Sequence, residues 1–257
     1  MADIIIPDKR TVEKTIMSLF RLLFPVTHSY SADEKKNFLM DSKTRVQWIL
    51  TGLVEKKEKV SDQFFKNLKK INKTLLKDAG FILESDPAAK QLIEVVAIYP
   101  GFFAIFCYRI ANSLAQLSVP LLPRMITEYA HKVTGIDIHP LADIGSPFSI
   151  DHGTGTVIGE TAIIGNNVKL YQGVTLGALS VDKSKASKKR HPTIEDNVIL
   201  YSGCTILGGE TVVGRNSIIG GNVWLTESIA PFSVVYHKSE IIVRNKSTYK
   251  EPLNFTI

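Results

Sequence analysis

Cysteine is scarce. The 257-residue chain has two, Cys107 and Cys204. Two isolated thiols make neither a disulfide framework nor a four-ligand zinc site, and they point to a reducing, cytoplasmic setting. Long hydrophobic runs are missing as well. The apolar stretch 16–24 is short, is broken by Arg21 and has no small-residue cleavage site, so no secretory signal is expected. No run approaches the length of a bilayer span. Nor is charge of one sign concentrated: 31 Lys and Arg against 25 Asp and Glu leave a net +6 spread through the chain. That disfavours nucleic-acid binding and leaves a mild positive field that would suit a phosphorylated ligand. With 44% apolar and 22% charged residues the composition is that of a soluble globular protein, long enough for one or two cores.

What fills the second half is a six-residue rhythm. Bulky apolar residues recur at Ile194, Leu200, Ile206, Val212, Ile218 and Trp224, and earlier at Ile138, Ile144, Ile150, then Ile158, Ile164, Leu170 and Leu176. A helix needs a period of 3.6 and a strand a period of 2, so neither fits. A period of six fits a parallel β-helix, a coil that turns a corner after each short strand and stacks on its previous turn. Glycines such as Gly145, Gly165, Gly173 and Gly203, and asparagines such as Asn167, Asn197, Asn216 and Asn222, fall mostly at the expected corners.

Before Gly135 the patterning is helical, with expected helices over 11–24, 36–58, 61–79, 101–117 and 122–133. Asp86-Pro87-Ala88-Ala89 reads as a helix start, with Asp86 capping and Pro87 in the first turn. The chain thus divides into a helical N-terminal domain over 1–134, a β-helix over 135–237 and a polar tail over 238–257. The fold class is α+β.

Two breaks interrupt the rhythm. Eight residues separate Ile150 from Ile158, and the excess falls within Asp151-His152-Gly153-Thr154-Gly155. A bulge there would lift a carboxylate and an imidazole out of the regular surface. On the residues alone, His152 fits a turn histidine as well as a catalytic base. The second break follows Leu176. Its hexad positions hold Asp182 and Lys188, which cannot be core, so 180–191 reads as an extruded loop ending in Lys188-Lys189-Arg190-His191.

At these breaks the sequence resembles the serine O-acetyltransferases. The resemblance rests on Gly135-Ile136-Asp137-Ile138-His139-Pro140, Ile150-Asp151-His152-Gly153-Thr154-Gly155, Val157-Ile158-Gly159-Glu160-Thr161, Gly173-Val174-Thr175-Leu176-Gly177 and Arg190-His191-Pro192. Upstream it extends through Asp86-Pro87-Ala88, Tyr99-Pro100-Gly101-Phe102 and Tyr108-Arg109-Ile110-Ala111. It covers about residues 80 to 225, and the hexads alone would indicate only the wider hexapeptide acyltransferase superfamily. The loop after Leu176 is longer and richer in lysine than the family's, and Val234-Val235-Tyr236-His237-Lys238-Ser239 stands where many relatives carry Ala-Gly-Val-Pro-Ala.

The resemblance implies a left-handed β-helix that trimerises, trimers that pair into hexamers, and an active site between neighbouring β-helices. It implies transfer of acetyl from acetyl-CoA to L-serine, the first step of cysteine synthesis, without a metal. His152 would be the general base, Asp137 its orienting acid and His191 a group near the reaction. Asp86 and Asp151 would meet the serine ammonium and Arg190 its carboxylate. Gly177, Ala178, Ser202, Gly203, Gly220 and Gly221 would flank the CoA arm. The C-terminal Ile257 would dock in O-acetylserine sulfhydrylase. Two other activities fit a β-helix: acyl transfer to an amino sugar or another hydroxyl, and a metal-dependent hydratase of the carbonic anhydrase kind. The second needs three converging histidines, for which the six in the chain show no obvious spacing.

Overall fold

The computed structural model describes residues 6–26, 30–179 and 188–238. Among the described residues six helices come first: α1 (Lys9–Leu23), α2 (Ala32–Leu50), α3 (Lys57–Ser85), α4 (Leu92–Ile98), α5 (Pro100–Gln116) and α6 (Leu122–Thr134). α2 begins on a capping box, in which Ser31 and Glu34 exchange backbone and side-chain bonds. It ends at Leu50, so the expected span 36–58 runs past the helix. α6 stops where Gly135 takes a left-handed conformation, φ 72°. No single helix among the described residues is long and apolar enough to cross a membrane. The bent pair α4 and α5 passes by composition, and α5 is the buried core helix.

Among the described residues fourteen short strands follow. β1 (Asp137–Ile138), β4 (Val157–Ile158), β7 (Thr175–Gly177), β10 (Thr205–Leu207) and β13 (Trp224–Leu225) stack in parallel as one face. The second face stacks β2 (Asp143–Ile144), β5 (Ile163–Ile164), β8 (Thr193–Ile194) and β11 (Val212–Val213). The third stacks β3 (Phe148–Ile150), β6 (Val168–Leu170), β9 (Ile199–Leu200), β12 (Ile218–Ile219) and β14 (Val234–Val235). This is a left-handed parallel β-helix of about five turns. Asn167, Asn197, Asn216 and Asn222 all have positive φ, as their corners require.

The hexads from Ile138 to Ile206 are buried throughout. Beyond Ile206 the expected register is wrong by one residue. Gly208 and Gly209 lengthen the corner, Gly208 at φ 105°, and the interior positions become Val213, Ile219 and Leu225. Leu225, not Trp224, pairs with Ile206, and Trp224 is 64% exposed.

The helices close the N-terminal end of the coil. Asp78 on α3 accepts from Arg109 on α5 through two nitrogens (2.8 and 3.2 Å), from the Ser146 hydroxyl (2.8 Å) and from the Phe148 N–H (3.0 Å). Arg109 donates onward to the carbonyls of Ile144 and Gly145. Gly101 must be glycine because α5 lies directly on the Ile150 carbonyl. One continuous hydrophobic core runs from Val12 to Val223.

Candidate active site

The expected site residues fall on opposite edges of the face that starts with β1. One edge is made by the corners entering that face, 151–156, 171–174, 201–204 and 220–223. The other is made by the corners leaving it, 159–162, the described residues 178–179 and 188–192, and 208–211.

The first edge carries Asp151 and His152. His152 has φ 55°, a strained conformation for a non-glycine residue, and its side chain is 77% exposed. Asp151 Oδ1 stands 3.8 Å from His152 Nε2, and Asp151 Oδ2 lies 3.2 Å from Lys169 Nζ. The buried Lys169 also donates to the Ser85 carbonyl at 2.8 Å and sits over the Tyr171 ring, so it ties this edge to the end of α3. Asp86 follows directly. It is the C-cap of α3, not the start of a helix. Its Oδ1 accepts from the Ala88 N–H at 2.8 Å and its Oδ2 from the Tyr99 hydroxyl at 2.7 Å. The Tyr99 bond, then the Ala88 bond, hold the Asp86 carboxyl below the ordinary range, and the same contact pushes Tyr99 up to about 12. Asp86, Asp151 and His152 thus share one cluster.

The second edge carries Arg190 and His191. Arg190 is paired with Glu160, and that bond holds the Glu160 carboxyl low. His191 is buried, its ring against Gly159, where any side chain would overlap it. Burial, then the Arg190 charge, push the imidazole down to about 4, so it is neutral at pH 7. Burial also lowers His139, which feels the charges of Glu160, Arg124, Asp137 and Arg190.

Asp137 lies on the face between the edges. Within one chain it does not orient His152. Its oxygens accept from Arg124 at 3.0 and 3.4 Å, and Arg124 pairs in turn with Glu128 at 2.6 Å. Within the chain the Asp137 carboxylate is thus paired with a guanidinium. Among the described residues no hydrogen bond or ion pair joins the two edges.

Ser202, Gly203, Gly220 and Gly221 sit on the His152 edge, and Gly177 and Ala178 on the Arg190 edge. Gly203 needs its positive φ of 70°, and a methyl at Gly177 would meet Leu207, so packing alone accounts for both glycines. Among the described residues the one cluster with metal-ligand chemistry is Glu128, His131 and Asp137. It has a single histidine, and Arg124 occupies both its carboxylates. Residues 180–187 and the tail with Ile257 lie outside the described residues.

Five polar side chains complete this geometry beyond the expected set: Tyr99, Arg124, Glu160, Thr161 and Lys169. Tyr99, Glu160 and Thr161 belong to the motifs already quoted. Arg124 and Lys169 have no spacing that marks them.

No family model matches the chain. Individual relatives do. The "serine acetyltransferase, plasmid" of Synechococcus elongatus is 39% identical over 260 residues, covering 90% of this chain and 81% of the relative. The serine acetyltransferase of Bacillus licheniformis is 43% identical over 183 residues, covering 71% and 82%. Among solved structures, serine acetyltransferase isoform 3 of Entamoeba histolytica in complex with cysteine superposes with a TM-score of 0.79 at 32% identity, over 91% of this chain and 85% of that one. The Neisseria gonorrhoeae enzyme in complex with serine gives 0.63 at 25%, over 89% and 93%. Sequence and fold agree across both the helices and the coil, and the chain belongs to the serine acetyltransferase family.

Proposed function

We propose that this chain transfers acetyl from acetyl-CoA to the hydroxyl of L-serine, giving O-acetyl-L-serine and CoA, the first step of cysteine synthesis. The observation that carries the reading is the cluster on the first edge: two carboxylates, Asp86 and Asp151, beside an exposed imidazole on a strained bulge. Free serine brings an ammonium for the carboxylates and a hydroxyl for the imidazole. Its carboxylate needs a cation, and Arg190 is one.

A hydroxyl is a weak nucleophile at neutral pH. His152 takes its proton as the oxygen attacks the thioester carbon, the C–O bond forms, the C–S bond breaks, and the proton passes to the CoA sulfur. No acyl-enzyme is needed, because the substrate is itself the nucleophile. The two edges of one chain face apart, so the complete site lies between neighbouring copies of a homotrimer. His152 of one copy then meets Asp137, Arg190 and His191 of the next, and trimers pair into a hexamer through the helices. The small residues Gly177, Ala178, Ser202, Gly203, Gly220 and Gly221 leave room beside the coil for the CoA arm. Cysteine differs from serine by one atom and would compete for the site. Two buried free thiols suit a cytoplasmic enzyme, and the tail ending in Ile257 is a ligand for O-acetylserine sulfhydrylase.

The test is release of free CoA thiol from acetyl-CoA by the purified protein. It is expected to require L-serine, and His152→Ala is expected to lose about 10²- to 10⁴-fold in kcat. Turnover with amino sugars but not serine, or a His152→Ala variant at full rate, overturns the reading.

A further inference from the structure

We propose that Thr161 is a positioning residue that fixes one tautomer of His191, so that His191 presents Nε2–H as a hydrogen-bond donor to the substrate and does not act as a second base. The inference rests on the serine acetyltransfer reading above and deepens it at the second edge.

The protons of this cluster fit one arrangement. The backbone N–H groups of Arg190 and His191 both donate to Thr161 Oγ1, at 2.9 and 3.1 Å. A hydroxyl oxygen has two lone pairs, and these two bonds use both. The hydroxyl proton is then left to point at His191 Nδ1, 2.9 Å away. The backbone N–H of Thr161 reaches the same Nδ1 at 3.1 Å, and a backbone N–H can only donate. Nδ1 is therefore a lone pair facing two donors, and the ring proton sits on Nε2. An imidazolium would set Nδ1–H against both.

The surroundings agree. Arg190, Lys189 and His139 disfavour a charge on the ring, and Glu160 alone favours it. Lys189 reinforces the clamp by bonding the carbonyls of Thr161 and His191. Among the described residues nothing accepts from Nε2, which lies over Gly159. A neutral Nε2–H held without reorganisation is suited to a substrate oxygen on which negative charge develops. The two histidines then have opposite tasks, His152 receiving a proton and His191 lending a hydrogen bond. One hydroxyl also sets the backbone of Arg190, which must meet the substrate carboxylate.

The experiment is ¹⁵N NMR of the histidine rings in the full-length protein, with the His191 signals assigned by their loss in His191→Asn, together with pH profiles of serine acetylation. The unsubstituted protein is expected to show a single neutral His191 tautomer, protonated at Nε2, with no titration above about pH 5. Thr161→Val strands the two amides and removes the hydroxyl donor to Nδ1, so the Arg190-His191 backbone is expected to shift and the Nε2–H preference to weaken, while burial keeps the ring neutral. kcat/KM for serine is expected to fall about 10- to 100-fold. Thr161→Ser restores the spectrum and the profile. An Nδ1-protonated ring in the unsubstituted protein overturns the proposal even if the valine variant does not fold. A valine variant with unchanged spectrum and kinetics overturns it as well. If the unsubstituted protein shows no serine-dependent turnover, the functional reading fails, and the ring spectrum still decides the tautomer.

Discussion

His191 is 8% exposed, and its imidazole is driven from an ordinary 6.5 to about 4, first by burial and then by Arg190. A folded-state value below the unfolded one means that the unfolded chain binds more protons between those two pH values. The neutral ring therefore carries no penalty above pH 6.5, and stability is lost as the pH falls through the window from 6.5 to about 4. Between pH 7 and pH 5 the loss amounts to about 2 kcal/mol per chain. Urea titrations at the two pH values are expected to show this loss, and His191→Gln is expected to remove most of it. Equal pH dependence in the two proteins would contradict it. Single residues were readable where a local motif carries them. Asp151-His152 sits on an irregular corner, and Arg190-His191 precedes a proline. Their partners were not readable. Thr161 and His191 are 30 positions apart, Lys169 and Ser85 are 84 apart, and such a contact leaves no trace in a periodic pattern. Arg124 stands 13 positions from Asp137, and no spacing marks their pairing within the chain.

The coil was readable because its period is fixed by geometry: each turn must return an apolar side chain to the same interior line. The count fails only where a corner changes length, and Gly208-Gly209 is such a place. Glycines occur at most corners, so one extra glycine announces nothing, yet it turns Trp224 outward and Leu225 inward. The consequence can be measured. Trp224→Ala removes the larger side chain but is expected to change stability by under about 0.5 kcal/mol, as exposed positions do. Ile206→Ala, on the interior line with Leu225, is expected to lose about 2–5 kcal/mol. Thermal unfolding of the two variants compares them directly, and a Trp224→Ala loss equal to that of Ile206→Ala would restore the unshifted register. Helix ends were missed for a different reason. The capping box Ser31-Glu34 starts α2 before the periodic residues do, and apolar residues past Leu50 continue the period after the helix has ended. Asp86 and Pro87 have the chemistry of a helix start, but the preceding turns of α3 reach Ser85 and make Asp86 a terminus.

A single copy presents the two groups of proposed site residues on different edges of one face, and the proposed assembly follows from that separation. The proposed base His152 stands with Asp86 and Asp151, while Arg190 and His191 stand across the face with Asp137 between. A coil of three short faces is a rigid prism, so no hinge within the chain can fold one edge onto the other. Cyclic association can, since every copy then offers its first edge to the second edge of the next. Sites shared between copies predict complementation. Chains with His152→Ala and chains with Arg190→Ala are each expected to be nearly inactive when assembled alone. Unfolded and reassembled together in equal amounts, they place an intact first edge beside an intact second edge in about a quarter of the sites. Serine acetylation at low serine concentration is therefore expected to recover toward a quarter of the unsubstituted rate. Mixing without reassembly should recover nothing, which separates shared sites from simple dilution. Reassembled mixtures that stay as inactive as their parents would mean that each chain builds its site alone, and the division of labour between the two edges would be wrong.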